Sequence, residues 1–195
     1  MRELALHILD IAANSVSAGA DKICISVDQN LEKDTLTIKI SDNGKGMSPE
    51  MVKAVTDPFV TSRTERKVGL GIPLLKAAAE ACNGWFNLTS QVGKGTTTAV
   101  QFQLSHIDRM PLGNLSDTFL SLELGTPEVN WVFSVKNNKD EFYFDDTELK
   151  KELDGISITE PDVIRFIRSI FEEGITKLDL AQGDKACQPS NHLTI

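Results

Sequence analysis

An amphipathic pattern opens the chain. Residues 3–18 carry apolar side chains at helical spacing, which predicts a helix with one broad buried face: Leu4, Ile8, Leu9, Ile11, Ala12 and Val16. Four polar residues share one line on the opposite side of this helix: His7, Asp10, Asn14 and Ser17. Gly19 is placed to end the helix.

Alternating apolar and polar residues predict the strands of the first half. There are four such segments, in two antiparallel hairpins: 22–27 with 35–40, and 85–90 with 97–104. Between the hairpins we expect a short helix that starts near Ser48, with Ser48 as its cap, and a longer apolar helix that Gly69-Leu70-Gly71 opens and that runs to about Cys82.

The second half has a less regular pattern, which predicts three helices and one hairpin: helices over 115–124, 148–153 and 163–173, and strands over 130–135 and 141–144. Thr159-Glu160-Pro161-Asp162 precedes the last helix and has the form of a capping box with an early proline. The residues from 181 onward are typical of a frayed tail.

The charge divides the chain into two parts. Residues 1–105 hold 11 basic and 11 acidic side chains, whereas residues 106–195 hold 9 and 17 and carry the whole net charge of −8. We therefore predict a domain over 1–105, a small acidic α+β unit over 106–180 and a flexible tail over 181–195. The acidic unit is expected to face a protein partner or to be simply a solvated surface. It is not expected to bind nucleic acid, because phosphate backbones are bound by clustered lysine and arginine.

Composition is that of a globular protein, with 41% hydrophobic and 25% charged residues. No apolar run approaches the roughly 18 residues that cross a bilayer. The N-terminus also lacks the pattern of a signal segment, so we expect a cytoplasmic protein without membrane contact. The three cysteines lack the spacing of a disulfide framework or a zinc cluster.

Several polar residues suit the binding of ATP. Asn14 offers an amide oxygen to a magnesium ion that is shared with phosphates and water, and Asp10, one turn earlier, could accept a proton. Asp42 follows a strand beside Gly44 and Gly46, where its carboxylate could accept the adenine amino group. Each feature also has a plainer interpretation, as the solvent face of a helix or as an ordinary Asp-Asn-Gly turn.

The phosphates would need a different kind of contact. Gly69-Leu70-Gly71 opens a helix, and bare backbone amides at a helix N-terminus favour anions. Arg63 adds positive charge in the preceding link, as do Arg66 and Lys67. Solvated loops commonly contain such residues too, and a single Gly-x-Gly is weak evidence.

These segments occur together, and through them the chain resembles the ATPase superfamily of DNA gyrase B, the ninety-kilodalton heat-shock chaperones, sensor histidine kinases and MutL. Five motifs match in order: the asparagine box at 10–20, the first glycine box at 42–47, the phenylalanine box at 57–63, the second glycine box at 68–72 and the last at 93–98. The resemblance covers residues 3–104. Residues 14–20 are especially similar to MutL.

The resemblance implies a Bergerat-type α/β (α+β) fold, a two-layer sandwich of a mostly antiparallel sheet under three helices with ATP beneath a lid. It also implies roles for the matching residues: Asn14 at magnesium, Asp42 at the adenine amino group, Gly44 and Gly46 at the adenine floor, Thr96 at the adenine end, Phe59 in the lid, and Gly69 and Gly71 at the phosphates. Arg63 and Leu70, inside the same motifs, are further candidates for nucleotide contact.

Three departures from the family pattern affect function. Asp10 stands where the family usually has a glutamate base, which suggests slow hydrolysis or use in transfer. Ser17 replaces a basic residue of many histidine kinases. The lid between Phe59 and Gly69 has only nine residues, so we expect limited closure.

Three functional hypotheses remain open. The preferred one is a kinase or ATPase module with Asp10 as base, acting on a separate protein because only nine residues precede Asp10 and no phosphoacceptor histidine domain is expected. The second is an ATP-dependent regulatory switch, similar to an anti-sigma factor, with little turnover. The third is a relic that no longer binds ATP, which the retained Asn14, Asp42 and glycines disfavour.

Overall fold

The computed structural model describes residues 3–57 and 71–180. Within these ranges it has six helices, α1 Leu4–Ser17, α2 Pro49–Thr56, α3 Gly71–Ala81, α4 Leu115–Gly125, α5 Asp146–Glu152 and α6 Pro161–Thr176. It has six strands, β1 Lys22–Asn30, β2 Thr35–Asp42, β3 Trp85–Gln91, β4 Gly95–Gln103, β5 Asn130–Lys136 and β6 Glu141–Asp145. The elements predicted from the hydrophobic pattern are all confirmed, with ends shifted by a few residues.

All six strands form one sheet in the order β3-β4-β2-β1-β5-β6. Neighbouring strands are antiparallel except β1 and β5, which run parallel with Ile25 opposite Phe133. The hairpin of the second half therefore extends the sheet of the first half. The division of the chain at residue 105 stays a prediction.

The core lies between this sheet and the helices. Alternate side chains of β1 and β5 are buried, as their period of two requires: Ile23, Ile25, Val27, Trp131, Phe133 and Val135. Phe133 stacks on Phe119 of α4 at 4.3 Å between ring centroids and meets Phe171 of α6 edge to face. These contacts confirm a two-layer α/β sandwich with a mostly antiparallel sheet.

Helix starts agree with the sequence in one case and differ in another. Ser48 caps α2 by accepting a hydrogen bond from the Met51 amide at 3.3 Å, as predicted. The capping box at Thr159 is wrong, because Glu160 occupies the cap position of α6 and makes no side-chain cap bond. The Thr159 hydroxyl lies 2.7 Å from the Ser157 hydroxyl instead.

Two carboxylic acids are fully buried in the second half. Glu123 of α4 and Asp146 of α5 are both 0% exposed. Lys150, one turn after Asp146, places its Nζ 2.5 Å from Asp146 Oδ2 and 2.5 Å from the Val129 carbonyl oxygen. Burial, followed by the nearby charge of Asp146, raises the pKa of Glu123 to about 8.

None of the helices in residues 3–57 and 71–180 combines the length and the apolar character that a membrane span requires.

Candidate functional site

A cavity of about 230 Å³ lies where α1, α2 and the ends of β2 and β4 meet. Four predicted site residues line this cavity: Asn14, Asp42, Gly46 and Thr96. Most of its remaining wall is apolar: Ile11, Ala18, Met47, Met51, Val55, Ile72 and Leu88. A largely apolar cavity with a few polar groups at fixed positions is typical of a small-molecule site.

Asp42 is the most constrained polar group of the cavity. Its Oδ2 accepts a hydrogen bond from the Ser15 hydroxyl at 2.7 Å. Its Oδ1 accepts the amide protons of Gly44 at 2.9 Å and Thr96 at 3.2 Å. A carboxylate offers about four acceptor positions, so one position is left for a ligand that donates.

The loop after β2 is fixed between α1 and the β3–β4 turn. The Lys45 amide donates to the Ala18 carbonyl at 3.0 Å, and the Lys45 carbonyl accepts from the Gly93 amide at 2.8 Å. Gly46 has φ of +64°, and a Cβ there would lie 2.0 Å from the Gln91 carbonyl oxygen. Glycine is therefore required at this position for both its conformation and its close packing.

Asp10 lies at the junction of α1 and α3, and the cavity-lining residues do not include it. A Cβ at Gly71, the first residue of α3, would lie 1.6 Å from Asp10 Oδ2, so a larger residue there would displace this carboxylate. Asp10 Oδ2 is buried and makes no hydrogen bond within the described part of the chain.

His7 lies one turn before Asp10 and is only 3% exposed. Burial lowers the pKa of His7, and the charge of Asp10 and a hydrogen bond with the Gly71 backbone oppose this effect. The imidazole is therefore held in its neutral form between α1 and the start of α3.

Asn14 is exposed and lines the cavity one turn after Asp10. Its position suits a magnesium ion that takes a single protein oxygen and fills its other positions with phosphate and water. No cluster of three or more histidine, cysteine, aspartate or glutamate side chains that could hold a metal occurs in residues 3–57 and 71–180.

The structure brings most of the predicted site residues together. Gly44 joins Asn14, Asp42, Gly46 and Thr96 through its amide bond to Asp42, while Asp10 and Gly71 form an adjacent contact. Four predicted residues lie outside the described residues: Phe59, Arg63, Gly69 and Leu70.

Sequence reasoning missed two features of the site. It did not identify the Ser15 hydroxyl that holds Asp42, although Ser15 directly follows Asn14. It also missed the apolar wall formed by Met47, Met51 and Val55. The amphipathic pattern of α2 was the available signal, because that helix has no buried residue and must place its apolar side on a cavity or in solvent.

The first half of the chain is similar in sequence to known proteins. Residues 1–106 match the family model described as histidine kinase-, DNA gyrase B- and HSP90-like ATPase. The sensor protein SrrB of Staphylococcus aureus (strain NCTC 8325 / PS 47) is 32% identical over 106 residues, which cover 52% of this chain and 18% of SrrB. The match thus spans less than a fifth of that relative's length.

Two solved structures are similar to this chain at low sequence identity. The N-terminal domain of a DNA repair protein has a TM-score of 0.53 and 16% identity, covering 85% of this chain and 59% of that chain. The Aquifex aeolicus MutL ATPase domain, complexed with ADP, has a TM-score of 0.48 and 17% identity over 79% of this chain and 68% of its own. The first of these supports a common fold.

Proposed function

Because the chain belongs to the histidine kinase-, DNA gyrase B- and HSP90-like ATPase family, we propose that it binds ATP with Mg²⁺ and serves as a kinase or ATPase acting on a separate protein. The observation that carries this proposal is the Asp42 carboxylate, oriented by three donors at the end of a largely apolar cavity.

The proposed contacts follow from the chemistry of the cavity. The free acceptor position of Asp42 would take the adenine amino group, while the apolar wall would contact the faces of the ring. Thr96, whose amide binds Asp42, would assist at the same end. Asn14 would hold the magnesium ion near the phosphates, and Gly71 would offer its backbone to them.

Asp10 is the proposed proton acceptor for transfer or hydrolysis. Its carboxylate lies beside Gly71, at the helix start where we expect the phosphates. The acidic second half would contact the protein partner, for which a basic surface is the complementary chemistry. We propose a cytoplasmic location for this reaction.

A binding switch with little turnover is the alternative. One observation favours it, since Asp10 Oδ2 is buried against Gly71 and Asp10 is not among the cavity-lining residues. A carboxylate in that position would need to move before it could accept a proton from a reacting group.

A titration with ATP, in the presence and absence of magnesium, tests the proposal. Saturating ATP should raise the melting temperature, and magnesium should increase the effect. Labelled phosphate that is released or transferred would identify a catalyst, whereas tight binding without either would identify a switch. A melting temperature that ATP leaves unchanged would contradict both.

The role of Asp10 needs its own variant. Asp10→Ala should leave ATP affinity nearly intact and reduce turnover by at least about a hundredfold, because a positioned base contributes about 10²–10⁴-fold. Turnover equal to that of the wild type would assign the base to another residue.

A further inference from the structure

Methionine side chains form part of the cavity wall. Met47 lies in the loop before α2, where its amide donates to the Ser90 hydroxyl at 2.8 Å. Met51 lies in the first turn of α2, where its amide donates to the Ser48 hydroxyl at 3.3 Å. Both backbones are thus held in place, and both residues line the cavity together with Leu88.

Met51 is also accessible from solvent. It is 47% exposed, while Met47 and Met110 are half-buried. Among the sulfur-containing side chains of residues 3–57 and 71–180, Met51 is therefore the most open to a dissolved oxidant.

The described thiols are poor competitors for that oxidant. Cys82 is 2% exposed and Cys24 is half-buried. Burial raises the pKa of both thiols, which lowers the fraction of reactive thiolate. A thioether reacts with the oxidant without first losing a proton, so its reactivity does not depend on a pKa.

We propose that Met51 is an oxidation site through which hydrogen peroxide weakens nucleotide binding, an inference that rests on the function proposed above. The Met51 sulfur attacks one peroxide oxygen, the O–O bond breaks, and a sulfoxide and one water molecule are formed. Sulfur loses two electrons and the peroxide gains them.

The sulfoxide changes the chemistry of the cavity wall. An apolar, flexible thioether becomes a polar group with a strong acceptor oxygen. Placing that oxygen against an aromatic ring removes it from water without a hydrogen bond, which is unfavourable. The bound nucleotide in turn covers Met51, so ATP should slow the oxidation.

The test uses the full chain with limited hydrogen peroxide, and peptide mass spectrometry locates the added oxygen. For each variant the measured quantity is the ratio of the Kd for ATP after and before treatment, so the effect of the substitution itself cancels. We expect a ratio of roughly tenfold for the wild type and near one for Met51→Leu, a change that nearly conserves volume. Met47→Leu and Met110→Leu are matched controls and should respond as the wild type does.

Each other result overturns the proposal. A wild-type ratio in Met51→Leu, or loss of the response in Met47→Leu, would assign the effect to another residue. Unmodified Met51 in a protein whose Met110 is oxidised would show that access is insufficient. ATP binding by the wild type that peroxide leaves unchanged would overturn the oxidation proposal alone. Untreated wild type that fails to bind ATP would overturn the proposed function as well.

Discussion

At the scale of single residues, the hydrogen bonds around Asp42 determine what the cavity can recognise. Three donors, from Ser15, Gly44 and Thr96, set the orientation of the carboxylate before any ligand is present. A group that is already oriented loses little conformational freedom when it binds.

The first prediction concerns the charge of Asp42. Asp42→Asn should weaken ATP binding by about a hundredfold, because a hydrogen bond to a charged group is worth about 1.5–3 kcal/mol and the amide nitrogen would face other donors. Ser15→Ala should have a smaller effect, since the two amide bonds remain. Isothermal titration calorimetry measures both.

Asp28→Asn is the matched control for that experiment. Asp28 is an exposed residue of β1, away from the cavity lining. Its variant should bind ATP as the wild type does. An Asp42→Asn protein with the affinity of this control would remove Asp42 from the nucleotide site.

The second prediction concerns His7 and acid. Burial lowers the pKa of His7 below its ordinary value of 6.5, so the unfolded chain binds a proton at higher pH than the folded one. The contribution of His7 to stability is therefore present above pH 6.5 and lost as the pH falls below it. Glutamine cannot be protonated in this range. The free energy of unfolding of His7→Gln, measured with urea, should therefore fall less between pH 7 and pH 5 than that of the wild type.

His106→Gln is the comparison for this effect, because His106 lies in a loop outside the α1–α3 contact. Its stability should follow that of the wild type over the same range of pH. Equal pH dependence in His7→Gln and in the wild type would show that the buried imidazole has no part in the loss.

Cavity residues could be predicted from the sequence where they belong to a motif. Asp42 and the glycines stand out because a strand end and a sharp turn restrict the choice of residue. Ser15 did not, since a serine on a helix has the same pattern whether it faces a ligand, the core or solvent. The only signal for Met51 was the amphipathic pattern of α2.

At the scale of elements, α4 and α5 bring ionisable side chains together in the core. Ionising all of these side chains at once would cost free energy. Glu123 and Asp146 are both 0% exposed, and Lys150 is the cation beside them. A second buried negative charge would lack a partner, which is why the Glu123 carboxyl retains its proton.

The third prediction follows from that proton. The pKa of Glu123 is raised from 4.5 to about 8, so between these values the folded chain holds a proton that the unfolded chain has lost. Stability should fall as the pH rises through this window, and Glu123→Gln should reduce the fall. Urea unfolding at pH 6 and pH 8.5, followed by tryptophan fluorescence, measures the difference.

Glu148→Gln on α5 provides the control, because Glu148 is exposed. Its unfolding should show the wild-type dependence on pH. If Glu123→Gln and Glu148→Gln behave alike, the carboxyl of Glu123 is ionised in the folded state.

The elements themselves were well predicted from the sequence. The alternation in β1 and β2 and the helical spacing in α1 indicate one buried face each, and local periodicity is sufficient to detect that. The burial of Glu123 was not predicted, because a single glutamate in an apolar helix has the pattern of a surface position.

At the scale of the whole molecule, the sheet links the two halves of the chain through the parallel pairing of β1 and β5. Local patterns do not specify which distant strands become neighbours, so this pairing was not predicted. The change in charge near residue 105 indicated two units, whereas the strand order depends on which buried faces fit together.

The fourth prediction tests that link. A chain ending at residue 105 would leave one edge of β1 without partners and would uncover core residues such as Ile25. We expect a lower melting temperature and a tendency to aggregate. A shortened chain as stable as the full one, with the same affinity for ATP, would support residues 1–105 as an independent domain.

The central position of β1 in the sheet also affects how the protein unfolds on heating. Its backbone is hydrogen-bonded to β2, which ends at Asp42, and to β5, which belongs to the acidic half. Neither half can unfold without breaking strand hydrogen bonds that stabilise the other half. Calorimetry should therefore record one cooperative transition. Ligands bound at opposite ends would then stabilise the same native state, and each would raise the single melting temperature of the whole chain.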